Sequence, residues 1–116
     1  MSRQRWHITV EGALLTLSRS GRVRLDVSAA TRLPDGARAR IAHQIRQDIW
    51  RAVQDQRGFS PVIQITRRDG GLDVEAGGQC LNQPTPRLKE RIEAVLCDPA
   101  KRSRWIAHAR RAEGLA

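Results

Sequence analysis

The chain reads as an α+β domain: an antiparallel sheet of about five strands, a three-stranded meander plus a hairpin, with helices packed on one face. Three observations predict this. Apolar and polar residues alternate from Arg5 to Val27 and again from Ile63 to Ala76, the period of half-buried strands. Between them, Ala37 to about Gln56 repeats its apolar residues at helical spacing. The length of 116 residues suits a single compact domain, 1–116, with one modest core. The expected order is strand, strand, strand, helix, strand, strand, helix, helix.

In the first strand Trp6, Ile8 and Val10 share a face. Glu11-Gly12 suits a two-residue turn, and setting Val10 opposite Ala13 returns Ala13, Leu15 and Leu17 on that face. Arg19-Ser20-Gly21 then fits a three-residue turn that brings Val23, Leu25 and Val27 alongside. The predicted rows are Trp6–Leu17–Val23, Ile8–Leu15–Leu25 and Val10–Ala13–Val27. The opposite face carries Arg5, His7 and Thr9, then Leu14, Thr16 and Ser18, then Arg22, Arg24 and Asp26, so it is expected to be solvated and positive. It has no aromatic residue and hence no platform on which bases could stack.

Leu33-Pro34-Asp35-Gly36 breaks the alternation, with Asp35 the expected N-cap of the main helix and Gly58 its terminator. Ile41, Ile45, Ile49 and Val53, with Ala42 and Ala52, form the buried stripe. Arg40, Gln44, Gln47, Arg51 and Gln54 lie opposite, while Arg46, Trp50 and Arg57 form a shoulder between the two faces. Trp50 either covers an edge of the core beside the arginine stems or anchors a partner or a stacked base.

Ile63 and Ile65, the Asp69-Gly70 turn, and Leu72, Val74 and Ala76 make the second hairpin. Arg68 opposite Gly71 places Ile65 across from Val74 and Ile63 across from Ala76. Pro61 cannot donate to a ladder and belongs at the strand's start or on an edge. Ala76 to Pro84 reads as a loop, a brief extension of the sheet over Gln79 to Leu81 being the alternative. Thr85-Pro86 opens the next helix as cap and first-turn proline, with Leu88, Ile92, Val95 and Leu96 as its stripe. Asp98-Pro99 repeats the signal. In that last helix Arg102, Trp105, Ile106 and Ala109 lie on one side and Lys101, Arg104, His108 and Arg111 on the other, with the end expected before Gly114.

Catalytic patterns are missing. His7, His43 and His108 stand apart, and neither Cys80 nor Cys97 sits at zinc-ligand spacing from one of them. Gly77-Gly78 lacks the lysine and hydroxyl of a P-loop, and no serine has a G-x-S-x-G setting. Asp26, Asp73 and Glu75 are the carboxylates a metal nuclease would draw on, but no lysine follows them in a strand. No enzyme activity, cofactor or metal is expected, and both cysteines are read as small packed side chains. The basic opening is followed by no long apolar run, and no stretch approaches ~18 apolar residues. A cytoplasmic protein with no membrane partner is expected.

The formal charge is +9. Nineteen of the 21 basic residues are arginine, a bias that GC-rich coding produces whatever the function, but it does not explain why only 12 acids accompany them. Basic surfaces suit polyanions, so the expected partner is nucleic acid. Two cationic faces compete for it: Lys101, Arg104, His108, Arg110 and Arg111 on the last helix, favoured because its helical spacing gives a continuous strip, and Arg5, Arg22 and Arg24 on the sheet. The Arg46, Trp50 and Arg57 shoulder is a third patch. The alternative is a small adaptor or inhibitor that docks on an acidic protein, with Trp50 or Trp105 as an anchor framed by arginine.

Overall fold

Two antiparallel strands, β4 (Phe59–Arg68) and β5 (Gly71–Cys80), form a hairpin at the middle of the sheet, closed at Asp69-Gly70. Both turn residues have positive φ, 52° and 74°, which matches the strand twist and which Asp and Gly tolerate best. Arg68 pairs with Gly71, Ile65 with Val74 and Ile63 with Ala76, as the sequence predicts. The computed structural model describes residues 6–19 and 23–114, the side chains of Arg111 to Gly114 excepted.

A first hairpin of β1 (His7–Glu11) and β2 (Leu14–Ser18) and a lone β3 (Val27–Pro34) complete five antiparallel strands in the order β1-β2-β4-β5-β3. With α1 (Arg38–Val53), α2 (Pro86–Cys97) and α3 (Pro99–Gly114), the chain is α+β in the expected element order. The three-stranded meander is corrected. The third strand begins at Val27, where it was expected to end, and lies at the far edge against β5 instead of beside β2. Alternation assigns residues to a face but names no neighbour, and β4 supplies β2 with apolar partners, Ile65 opposite Leu15 and Ile63 opposite Leu17. The first turn is Gly12-Ala13, with Gly12 at φ 60°. Ile8 therefore faces Leu17 and Val10 faces Leu15, two residues from the predicted register but on the predicted side.

Gly77 and Gly78, expected in a loop, are strand residues. A Cβ on Gly77 would lie 1.9 Å from the Val27 carbonyl oxygen, and one on Gly78 2.3 Å from that of Ser60. Glycine lets β3 and β4 close on β5 at this end. Pro61 sits within β4 beyond the last residue that β2 pairs, so its missing N–H interrupts no ladder on that side.

α1 packs on β2 and β4, α2 on β3 and α1, and α3 on α1. Ile41, Ile45 and Ile49 of α1, Leu88, Ile92 and Leu96 of α2, and Trp105 of α3 meet Leu17, Ile63, Ile65 and Leu72 in one cluster. Asp35 does not cap α1. Its Oδ1 accepts from Arg67 Nε at 2.8 Å and from Gly36 N at 2.9 Å, and the N-cap is Ala37 with no side-chain bond. Thr85 does cap α2, accepting from Leu88 N at 3.1 Å, and Asp98 accepts from Ala100 N and Lys101 N at the start of α3. α3 runs through Gly114, past its expected end. Cys97 is exposed, so only Cys80, partly buried and with its thiol pKa raised chiefly by that burial, approaches the packed role.

The outer face of the sheet is drier than alternation implies. Thr16 and Ser18 are buried, and so is Val62, which stands apart from the main cluster. The β2–β3 connection, described from Val23 on, returns over this side. Val23 lines a shallow depression with Thr9, Thr16 and Gln64, and Asp26 N donates to the Gly78 carbonyl at 2.9 Å.

Candidate functional site

Gln47, Trp50, Arg51 and Gln54 recur at i, i+3, i+4 and i+7 on α1 and so share one face. Trp50 is 45% exposed there. Beside it, the Arg46 guanidinium lies 4.5 Å from the centroid of the Trp6 ring, and Arg19 approaches the same ring at 5.9 Å, both within cation–π range. With Phe59 and Pro61 of β4 these residues enclose a depression of about 410 Å3. Among the described residues no carboxylate lines it.

Arg46 Nε is shielded from solvent and has no hydrogen-bond partner among the described residues. A buried donor left unmade costs free energy. Burial pushes the pKa of Arg46 below the usual arginine value. His43, one turn earlier, has its pKa lowered by burial first and by Arg46 second, so it adds little charge at neutral pH.

Arg51 also lines a second depression, of about 530 Å3, where the three helices meet. The other cations there are engaged. Arg91 bonds Asp55 at 2.7 Å and the Ala52 carbonyl, Lys101 bonds Asp98 at 3.1 Å, and Arg104 bonds Asp48. Asp48 is 4% exposed and also accepts from Trp105 Nε1 at 2.7 Å, which joins α1 to α3. Arg51 has no ion-pair or hydrogen-bond partner among the described residues.

The predicted α3 strip is therefore less free than its spacing suggests. Lys101 and Arg104 meet acids, His108 Nε2 lies 3.3 Å from Arg40 Nη1, Arg110 is exposed, and the Arg111 side chain lies outside the described residues. Trp105 is fully buried and is withdrawn as a docking anchor. On the sheet, Arg24 is held by Asp26 at 2.7 Å and lines a separate depression with Cys80 and Leu81. Arg5 and Arg22 lie outside the described residues. Of the α1 shoulder, Arg46 and Trp50 come together, while Arg57 is exposed just past the helix and lines neither depression.

Sequence reasoning missed Trp6, Arg19 and Arg51 as members of this groove. The helical spacing of Gln47, Trp50, Arg51 and Gln54 was a usable signal for Arg51; nothing local points to Trp6 or Arg19. Among the described residues no three His, Cys, Asp or Glu side chains gather to hold a metal ion, and no helix is long and apolar enough to cross a membrane. No protein-family model, curated protein or solved structure matches the chain.

Proposed function

We propose that the protein binds single-stranded nucleic acid at the Trp50 groove. The open Trp50 ring beside Arg19, Arg46 and Arg51, in a depression that no described carboxylate lines, carries this reading. An exposed indole stacks on any base, and the guanidiniums meet the flanking phosphates. Gln47 and Gln54 offer amide donors and acceptors to a base edge. A single strand fits better than a duplex, because a base must leave its stack to reach the ring. Arg51, shared by the two depressions and without an ion-pair partner among the described residues, adds a third cation beside the ring.

Anisotropy of a labelled oligothymidylate, titrated at about 50 mM salt, tests this. Binding is expected to weaken with salt at a log–log slope of about −2, if three arginines each neutralise a phosphate on a single strand. Trp50→Ala is expected to weaken it about 5- to 150-fold, the cost of one lost stack, while Trp50→Phe keeps most of the affinity. No binding at that salt removes the reading. Equal affinity for an acidic peptide of matched charge, indifferent to Trp50→Ala, points to an acidic protein surface instead.

A further inference from the structure

Among the described residues, no strand pairs with the outer edge of β1. Ala13 accepts from Arg67 N of β4 at 3.0 Å. Backbone groups alternate sides along a strand, so Ala13, Leu15 and Leu17 turn theirs to β4 while Leu14, Thr16 and Ser18 turn theirs to β1. Those three face Glu11, Thr9 and His7. Ile8 and Val10 consequently hold their N–H and C=O groups outward, away from the sheet. Their side chains share a face with Leu17 and Leu15, which are buried, yet they are 39% and 55% exposed. An unmet ladder and an unmet apolar strip therefore coincide. The other edge is partly covered, because Arg102 reaches from α3 to Thr31 Oγ1 at 2.6 Å and to the Arg32 carbonyl at 2.8 Å.

The strand His7-Ile8-Thr9-Val10-Glu11 is complementary to itself when run antiparallel about Thr9. Ile8 then faces Val10 of the second copy, His7 faces Glu11, and Thr9 meets its own counterpart on the axis. The ladder parity agrees. Ile8 and Val10 are the residues with free backbone groups, so each Ile8–Val10 pair exchanges both of its hydrogen bonds. A two-fold centred on Ile8 or on Val10 keeps the parity but sets Thr9 against His7 or Glu11 and loses the imidazole–carboxylate match.

We propose that the protein forms a two-fold dimer by antiparallel pairing of β1 with β1 of a second copy, giving one continuous sheet with Ile8 and Val10 of both copies covered together. This stands independently of the nucleic-acid reading.

Sedimentation velocity of the full chain over a concentration series is expected to show a monomer–dimer equilibrium. Val10→Pro removes an amide that no strand of the monomer uses, and is expected to leave a folded monomer. Glu11→Lys, at an exposed side chain, is expected to weaken the dimer, and combining it with His7→Glu to restore it. In a chain lacking Cys80 and Cys97, Thr9→Cys is expected to form a disulfide-linked dimer on mild oxidation, since the two residues face each other at a closely spaced pair. A wild-type chain that stays monomeric up to about 1 mM, or a dimer that Thr9→Cys fails to link, overturns the proposal.

Discussion

Trp50 and Trp105 are the same residue type on two amphipathic helices, and burial gives them opposite roles. Trp105 is fully covered and spends its N–H on Asp48; Trp50 stays 45% exposed beside arginines that have no ion-pair partner among the described residues. Asp48→Ala leaves the buried Trp105 N–H without an acceptor and releases Arg104, so a loss of about 1–3 kcal/mol is expected in urea unfolding. Trp105→Phe should then add less in the Asp48→Ala background than alone, because the two changes remove one shared bond. The sequence places Trp105 on the side of its helix with Ile106 and Ala109 and Trp50 on a shoulder, yet offers either as an anchor. Coverage of a helix face depends on which other helix crosses it, and the contact of α3 with α1 is not written in either stripe.

Elements whose contacts are local were legible. The Asp69-Gly70 hairpin was readable to the residue because the turn alone sets its register, and Thr85-Pro86 and Asp98-Pro99 mark helix starts through their own backbone. Thr85→Ala is expected to cost about 1 kcal/mol, the usual worth of an N-cap, as a shift of the denaturation midpoint at unchanged slope. What misled was composition without context. Gly77-Gly78 resembles a loop, yet both glycines are required because backbone oxygens stand where their Cβ atoms would be. Gly78→Ala is expected to destabilise by about 1–3 kcal/mol through overpacking against Ser60 and Phe59, a loss measurable by thermal unfolding. Val23, Leu25 and Val27 alternate like a strand, but Val23 and Leu25 belong to the connection and only Val27 joins β3.

At the scale of the whole molecule, the excess of base sets how stability responds to acid. Asp26, Asp35 and Asp55 have pKa values lowered first by hydrogen bonds from Arg24, Arg67 and Arg91, and Asp98 by the Lys101 backbone N–H. A carboxyl whose folded pKa is depressed contributes stability above its unfolded value and loses it as pH falls through the folded one. His43, held neutral by burial, also loses its contribution on acidification, beginning near its unfolded pKa of about 6.5. Urea midpoints are therefore expected to decline slightly below about pH 6.5 and steeply below about pH 4, where the aspartates titrate and the net charge of +9 rises further. Added salt should recover part of the acid loss by screening. The candidate groove was half legible for a related reason: Arg46 and Trp50 follow from one helix's periodicity, whereas Trp6 and Arg19 reach it only through the three-dimensional path of the first hairpin.

The β4–β5 hairpin lies between β2 and β3, although both of those strands precede it in the chain. Ser28 bonds Glu75, 47 positions away, and Gln64 bonds Thr16 across 48, so each flanking strand must close a long loop onto a template made later. During synthesis β2 and β3 emerge before the strands that join them into one sheet. The hairpin is then the natural nucleus. Gly70→Ala, strained at φ 74°, is expected to slow refolding in stopped-flow chevrons, whereas Val27→Ala mainly accelerates unfolding. Order of assembly thus runs outward from the middle of the sheet, against the order in which the strands are written.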